Sequence, residues 1–216
     1  MRRARTDRAN RVRGLYAVTP ELADTDALTA KVHAAIDGGA RVVQYRDKSR
    51  APSARRTQAQ RLADLCKRHD VLFIVNDDAA LARDVDADGV HVGEDDGDLS
   101  RVRDIVGDDR VIGLSCYDDF GRAREGVRSG ADYVAFGSFF ASSVKPDARR
   151  ASLDLLTRAR ELAVPVVAIG GIDASNAGSL RDAGASAVAV ISAVFAHDSD
   201  ADIARHARAI AELFAA

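Results

Sequence analysis

The sequence predicts a single (β/α)8 barrel of the TIM type, on three observations. Short apolar, β-branched runs alternate with longer Ala-, Arg- and Leu-rich stretches at helical spacing, eight times from Leu15 onward. Most of these runs are continuously apolar, as parallel strands covered on both faces are. The turn after the first run, VTPELAD, has none of the glycines that open the phosphate turn of a doubly wound sheet. Eight strand–helix units in roughly 200 residues is the size of a compact barrel, and an open doubly wound sheet is the weaker alternative.

The strands are expected at Leu15–Val18, Val42–Arg46, Leu72–Val75, Gly89–Val92, Val111–Leu114, Tyr133–Phe136, Val164–Ile169 and Ala187–Ile191. The helices are expected at Asp26–Asp37, Ala54–His69, Ala79–Asp84, Leu99–Val106, Asp119–Ser129, Leu153–Leu162, Ser175–Ala183 and Ala201–Phe214. The segments DGGA, SGAD and AGAS put glycine between a helix and the next strand, where a helix C-terminus wants it. Asp24 or Thr25 can cap the first helix. Residues 1–14 carry six arginines and form an Arg-rich N-terminal tail, either solvated or a short helix, before a barrel domain over residues 15–216.

With 216 residues, 47% hydrophobic and 30% charged, the chain can bury a sizeable core without disulfide or metal staples. A net charge of −2 gives no reason to expect nucleic acid or an anionic membrane as partner. No apolar stretch approaches the roughly 20 residues of a spanning helix. Cys66 and Cys116 form no framework, and with no secretory signal a cytoplasmic location is expected. Only four of the 31 basic residues are lysines, so Lys31, Lys48, Lys67 and Lys145 each call for a reason.

A barrel places its chemistry just beyond the C-terminal ends of the strands. Three sub-sites can be read there. Arg46, Lys48 and Lys145 form a cationic one suited to phosphate, with surface ion pairing, notably of Arg46 beside Asp47, as the plain alternative. Asp77, Asp78, Asp95 and Asp96, with Asn76, offer hard oxygen ligands suited to Mg2+, although Asp77 or Asp78 can instead cap the following helix. Gly170 and Gly171 after the seventh strand and Ser192 after the eighth suit a phosphate cup, or alternatively a tight turn. Two phosphorylated substrates, or one bisphosphate, are implied. His91 is either an acid–base group or a hydrogen-bonded barrel histidine, and Cys66 reads as a small core residue. His33, His69, His197 and His206 look structural or exposed, and Cys116 has no evident histidine partner.

At these residues the chain resembles the thiamine-phosphate synthases. The matching segments run in order from Leu15 to about Ala193: LYAVTP, VVQYRDK, IVNDDAALA, ADGVHVGEDD, IGLSCY, GADYVAFGSFFASSVKP, VVAIGGI and AVAVISAV. The resemblance implies a Mg2+-dependent transferase of thiamine biosynthesis that joins hydroxymethylpyrimidine diphosphate to thiazole phosphate. It releases thiamine phosphate and pyrophosphate by dissociative substitution. Carried over residue by residue, it implies that Gln44 and Lys48 contact the pyrimidine diphosphate and that Asp77 and Asp96 hold Mg2+. On the same resemblance Arg46 and Asn76 would touch the diphosphate, and Ser115 and Lys145 would grip the leaving pyrophosphate. Ser142 would lie in the loop that contacts the thiazole substrate, while Gly171, Ile191 and Ser192 would bind the thiazole phosphate. Val144 stands where the family often has threonine, which removes one hydroxyl near that loop, and Glu94 stands where glutamine is frequent. A thiazole tautomerase-like barrel, a Schiff-base aldolase built on Lys145 and a catalytically silent phosphate-binding regulator are the competing readings.

Overall fold

The computed structural model describes residues 2–93, 98–141 and 150–215. Eight strands close a barrel: β1 (Gly14–Val18), β2 (Ala40–Tyr45), β3 (Leu72–Asn76), β4 (Gly89–Val92), β5 (Val111–Tyr117), β6 (Tyr133–Phe136), β7 (Val166–Ile169) and β8 (Ala187–Val190). Each strand runs parallel to its sequence neighbours, and β8 returns to pair with β1. Helix α1 (Arg2–Ala9) precedes the barrel. The outer layer holds α2 (Thr25–Asp37), α3 (Pro52–Arg68), α4 (Ala79–Asp84), α5 (Leu99–Val106) and α6 (Phe120–Arg128). It is completed by α7 (Leu153–Ala159), α8 (Ala177–Ala183), α9 (Ser192–Phe195) and α10 (Asp200–Ala211).

Side-chain alternation along each strand divides the apolar residues between two cores. Leu15, Ala17, Val43, Tyr45, Phe73 and Val75 point outward and pack under the helices. Tyr16, Val18, Val42, Leu72, Ile74 and Val111 point inward and fill the barrel. The strands therefore read as continuously apolar because both faces are buried. Carboxylates or a hydroxyl start five helices: the side chains of Asp24, Asp78, Asp98, Asp119 and Ser199 accept N–H groups at the starts of α2, α4, α5, α6 and α10.

Several boundaries differ from expectation. β2 begins at Ala40 because Ala40 already pairs with Leu15 of the neighbouring β1. β5 continues to Tyr117 through a register shift between Ser115 and Tyr117, which hydrogen-bonded pairing with β6 permits. The ends expected to finish the seventh and last helices tighten into 3-10 turns at Arg160–Leu162 and Glu212–Phe214.

The Arg-rich segment forms a short helix, and it is docked rather than solvated. Ala9 and Val12 are buried in the inner core and close the barrel floor. The arginines reach aspartates that stand just before strands. Arg5 Nε lies 3.1 Å from Asp132, Arg8 Nε lies 3.3 Å from Asp88, and Arg11 Nη2 lies 2.8 Å from Asp70. Among the described residues no helix is long and apolar enough to cross a membrane.

Candidate active site

The described site residues all stand at the C-terminal rim, opposite α1. Gln44 ends the inward row of β2, with Arg46 and Lys48 in the loop beyond. Asn76 closes β3 and Asp77 follows it. Ser115 sits near the end of β5, Gly170 and Gly171 follow β7, and Ile191 and Ser192 follow β8. Asp96, Ser142 and Lys145 lie outside the described residues, as do Glu94, Asp95 and Val144.

The β2 and β3 ends meet through charge. Lys48 Nζ lies 2.9 Å from Asp77 Oδ2, and the lysine is 60% exposed, so its ammonium faces the open mouth. Asp78 takes the capping role: its Oδ1 accepts the Leu81 N–H at 2.9 Å and its Oδ2 meets Arg55 at 3.2 Å. Asp77 is thereby left for the rim. Its backbone takes a positive φ of 63° and its N–H donates to the His91 carbonyl at 2.8 Å. That turn swings the chain off β3 and fixes Asp77 against β4.

Arg46 does not pair with Asp47. Its guanidinium lies 3.4 Å from Glu21 Oε1 in the β1–α2 loop. Asp47 is buried and turns back on its own loop, accepting from the Ser49 and Arg50 N–H groups and lying 2.7 Å from Arg50 Nε. Burial alone would raise the Asp47 carboxyl, but hydrogen bonds from the Ser49 N–H and hydroxyl and from Arg50 outweigh it and hold the pKa below its usual value. Asp47 is thus a loop anchor, and Arg46 is held at the rim from β1.

Gly170 and Gly171 have φ of 103° and 65°, conformations that favour glycine. A Cβ at Gly170 would lie 2.1 Å from Ser138 Oγ, and one at Gly171 would lie 2.3 Å from the Ala141 carbonyl. The two glycines therefore also let the β6 loop lie directly on the β7 loop, where the Phe140 N–H donates to the Gly170 carbonyl at 3.0 Å. Ser192 is exposed and opens the single-turn α9.

Beneath the rim lies a hydrogen-bonded set that sequence reasoning only partly found. His91 is a buried barrel histidine: Nδ1 lies 3.1 Å from Tyr133 Oη and Nε2 lies 2.9 Å from Ser115 Oγ. Burial pulls its pKa down to about 4, against the opposing charge of Asp77. Tyr16 and Tyr133 hydroxyls are 2.9 Å apart, and Gln44 Nε2 donates to Tyr16 Oη at 2.8 Å. Burial raises both phenols far above the usual tyrosine value. Tyr16 and Tyr133 sit inside apolar runs that hide their hydroxyls, although they share the inward parity of Gln44, His91 and Ser115. Arg122 was also missed. From α6 its Nε donates to the Ser115 carbonyl at 2.8 Å and its Nη2 to the Gly93 carbonyl at 3.1 Å, tying the ends of β4 and β5. Cys116 is buried, and burial lifts its thiol to about 12, which suits no nucleophile. The other histidines pair on the helical layer, His33 edge-on to His69 and His197 stacked on His206.

A family profile described as thiamine monophosphate synthase matches residues 15–194, the whole barrel through β8. The chain belongs to the thiamine-phosphate synthase family. A thiamine-phosphate synthase of Chromobacterium violaceum is 52% identical over 206 residues, covering 95% of this chain and 98% of that protein. One of Methylobacillus flagellatus is 48% identical over 203 residues, covering 94% and 96%. The solved structure of thiamine phosphate pyrophosphorylase from Pyrococcus furiosus superposes with a TM-score of 0.84 at 31% identity, covering 95% of this chain and 96% of that one. Membership in the thiamine-phosphate synthase family assigns the chain a transferase activity in thiamine biosynthesis.

Proposed function

We propose that this chain couples hydroxymethylpyrimidine diphosphate with thiazole phosphate at the C-terminal rim, releasing thiamine phosphate and pyrophosphate. The observation that carries this reading is the Lys48–Asp77 pair, with Arg46 and Asn76 beside it, on the ends of β2 and β3. Gly171, Ile191 and Ser192 stand on the ends of β7 and β8, where barrels commonly seat a phosphate. The two halves of the rim suit two phosphorylated substrates held toward each other.

The chemical demand is for charge stabilisation more than proton transfer, since a pyrophosphate departs from a benzylic-type carbon. Arg46 and Lys48 neutralise the diphosphate, with Gln44 and Asn76 as neutral contacts to the same substrate. Ser115 and Lys145 take the charge that gathers on the leaving pyrophosphate. Ser142 contacts the thiazole substrate, and Gly171, Ile191 and Ser192 seat its phosphate. The donor set at β3 fits Mg2+: Asp77 is released from capping by Asp78 and already attracts an ammonium, and Asn76 adds a neutral oxygen beside it. Asp77 and Asp96 are the residues that would hold the ion. Mg2+ bound there supplies Lewis-acid neutralisation of the diphosphate oxygens. Small-molecule chemistry and two free buried thiols fit a cytoplasmic setting.

The test is incubation of the purified chain with both substrates and Mg2+. Thiamine phosphate and pyrophosphate in equal amounts are expected. Isomerisation of the thiazole phosphate with no coupling would instead support the tautomerase-like reading.

A further inference from the structure

Five polar side chains form one continuous chain through the barrel interior. Gln44 Nε2 donates to Tyr16 Oη, Tyr16 Oη lies 2.9 Å from Tyr133 Oη, Tyr133 Oη lies 3.1 Å from His91 Nδ1, and His91 Nε2 lies 2.9 Å from Ser115 Oγ. It starts on β2, crosses β1, β6 and β4, and surfaces at β5. Tyr16 is 1% exposed and Tyr133 is fully buried, so water cannot rescue an unpaired hydroxyl there. Gly113 keeps the space clear: a Cβ there would lie 2.1 Å from Tyr133 Cζ and 2.5 Å from His91 Nδ1.

We propose that this chain is polarised from Gln44 to Ser115, and that Tyr16, Tyr133 and His91 are positioning residues that aim the Ser115 hydroxyl hydrogen at the leaving pyrophosphate. The direction follows from counting hydrogens. The Tyr16 oxygen receives the Gln44 amide N–H, so the Tyr16 hydrogen has one remaining acceptor among the described residues, the Tyr133 oxygen. If Tyr133 donated to Tyr16 instead, the Tyr16 hydrogen would be buried without a partner, which is the costlier arrangement. Tyr16 therefore donates to Tyr133, and Tyr133 must pass its own hydrogen to His91 Nδ1. A lone pair at Nδ1 puts the ring hydrogen on Nε2, where it points at Ser115 Oγ. An imidazolium is ruled out by the same count, because a hydrogen on Nδ1 would push Tyr133 back onto Tyr16. Ser115 Oγ thus accepts from His91, and its own hydrogen is free for an anion in the mouth. The reverse polarity would make a serine–histidine nucleophile and turn oxygen lone pairs toward a diphosphate.

The proposal rests on the reading that Ser115 touches the departing pyrophosphate, and two measurements separate them. The first is long-range 1H–15N correlation on the full chain labelled with 15N-histidine. His91 is identified by the loss of its signals in His91→Gln, or by removing the other four histidines if that variant does not fold. A pyridine-type Nδ1 with a protonated Nε2 is expected. A protonated Nδ1 overturns the polarity whatever the activity.

The second measurement is a double-mutant cycle in steady-state coupling. Tyr133→Phe and Ser115→Ala are each expected to lower kcat by about 10-fold or more, with the thiazole phosphate KM within about two-fold. In the double variant the loss should be no greater than for Ser115→Ala alone, because both act through one hydroxyl. Multiplying losses would mean that Tyr133 only supports the fold, which also overturns the proposal. Full activity of Ser115→Ala together with the expected tautomer would remove Ser115 from the pyrophosphate and leave the polarity of the chain standing.

Discussion

Asp77 and Asp78 are adjacent and chemically identical, yet their roles diverge because only one of them lies at a helix start. Asp78 accepts the Leu81 N–H, so Asp77 is left facing Lys48 at 2.9 Å. Asp77→Asn keeps the shape and removes the charge. It is expected to raise the Mg2+ concentration for half-maximal rate by about ten-fold or more. A Mg2+ titration of coupling rate checks this, and an unchanged midpoint removes Asp77 from the metal. His91 gives a pH prediction. Its folded pKa of about 4 lies below the ordinary imidazole value of 6.5. Above that value it is neutral in both states and contributes nothing. As pH falls through the window between the two, the unfolded chain takes up a proton that the folded chain refuses, so stability is lost progressively, by about 3 kcal/mol in all. Urea unfolding at neutral and acid pH should show a larger loss for the wild type than for His91→Gln, since carboxylate effects are common to both. Equal losses would contradict the assignment.

At the scale of elements, strand β5 carries the tightest constraint. Its inward row is Val111, Gly113 and Ser115, and the middle position has no side chain because Tyr133 and His91 occupy that space. Gly113→Ala forces a methyl to within 2.1 Å of Tyr133 Cζ. The overpacking is expected to cost about 1–3 kcal/mol and to separate His91 from Tyr133, lowering kcat as well as Tm. Thermal melting with steady-state kinetics tests both, and a variant with wild-type Tm and rate would show that the interior yields freely.

At the scale of the molecule, stability and chemistry occupy opposite ends of the barrel. The floor is closed by α1, with Val12 fully buried and Arg5 and Arg8 clasped on Asp132 and Asp88. Removing residues 1–13 uncovers Val12's site and takes Arg5 and Arg8 away from those aspartates, leaving Asp132 with Arg103 and Asp88 with the Phe73 N–H. A loss of about 2–3 kcal/mol is expected, lowering Tm by roughly 5–10 °C. Both KM values should stay within about two-fold at low temperature, because α1 packs at the end of the barrel opposite the rim. A shift in KM without a fall in Tm would reverse that division.

Most of the barrel was legible from residues alone because its signals are local. Apolar runs, a carboxylate such as Asp98 or Asp119 before a helix, and glycines such as Gly130 and Gly184 at positive φ act within a few positions of the chain. The rim could be listed for the same reason, once eight strands were counted and their C-terminal ends read off. Partners across the barrel were not legible. Tyr16 and Tyr133 stand 117 positions apart, and an apolar run conceals that a phenol carries a polar tip. Arg46 sits beside Asp47 in sequence, yet loop geometry gives Asp47 to Arg50 and Arg46 to Glu21. The arginines of the N-terminal segment read as solvated because the aspartates that receive them precede three different strands, β3, β4 and β6. Local patterns along the chain carry the strands, the helices other than the single-turn α9, and the described residues that reach the rim. Only closure of the sheet decided which of them meet, because hydrogen bonds and ion pairs depend on distances that the chain sets by folding, not by order.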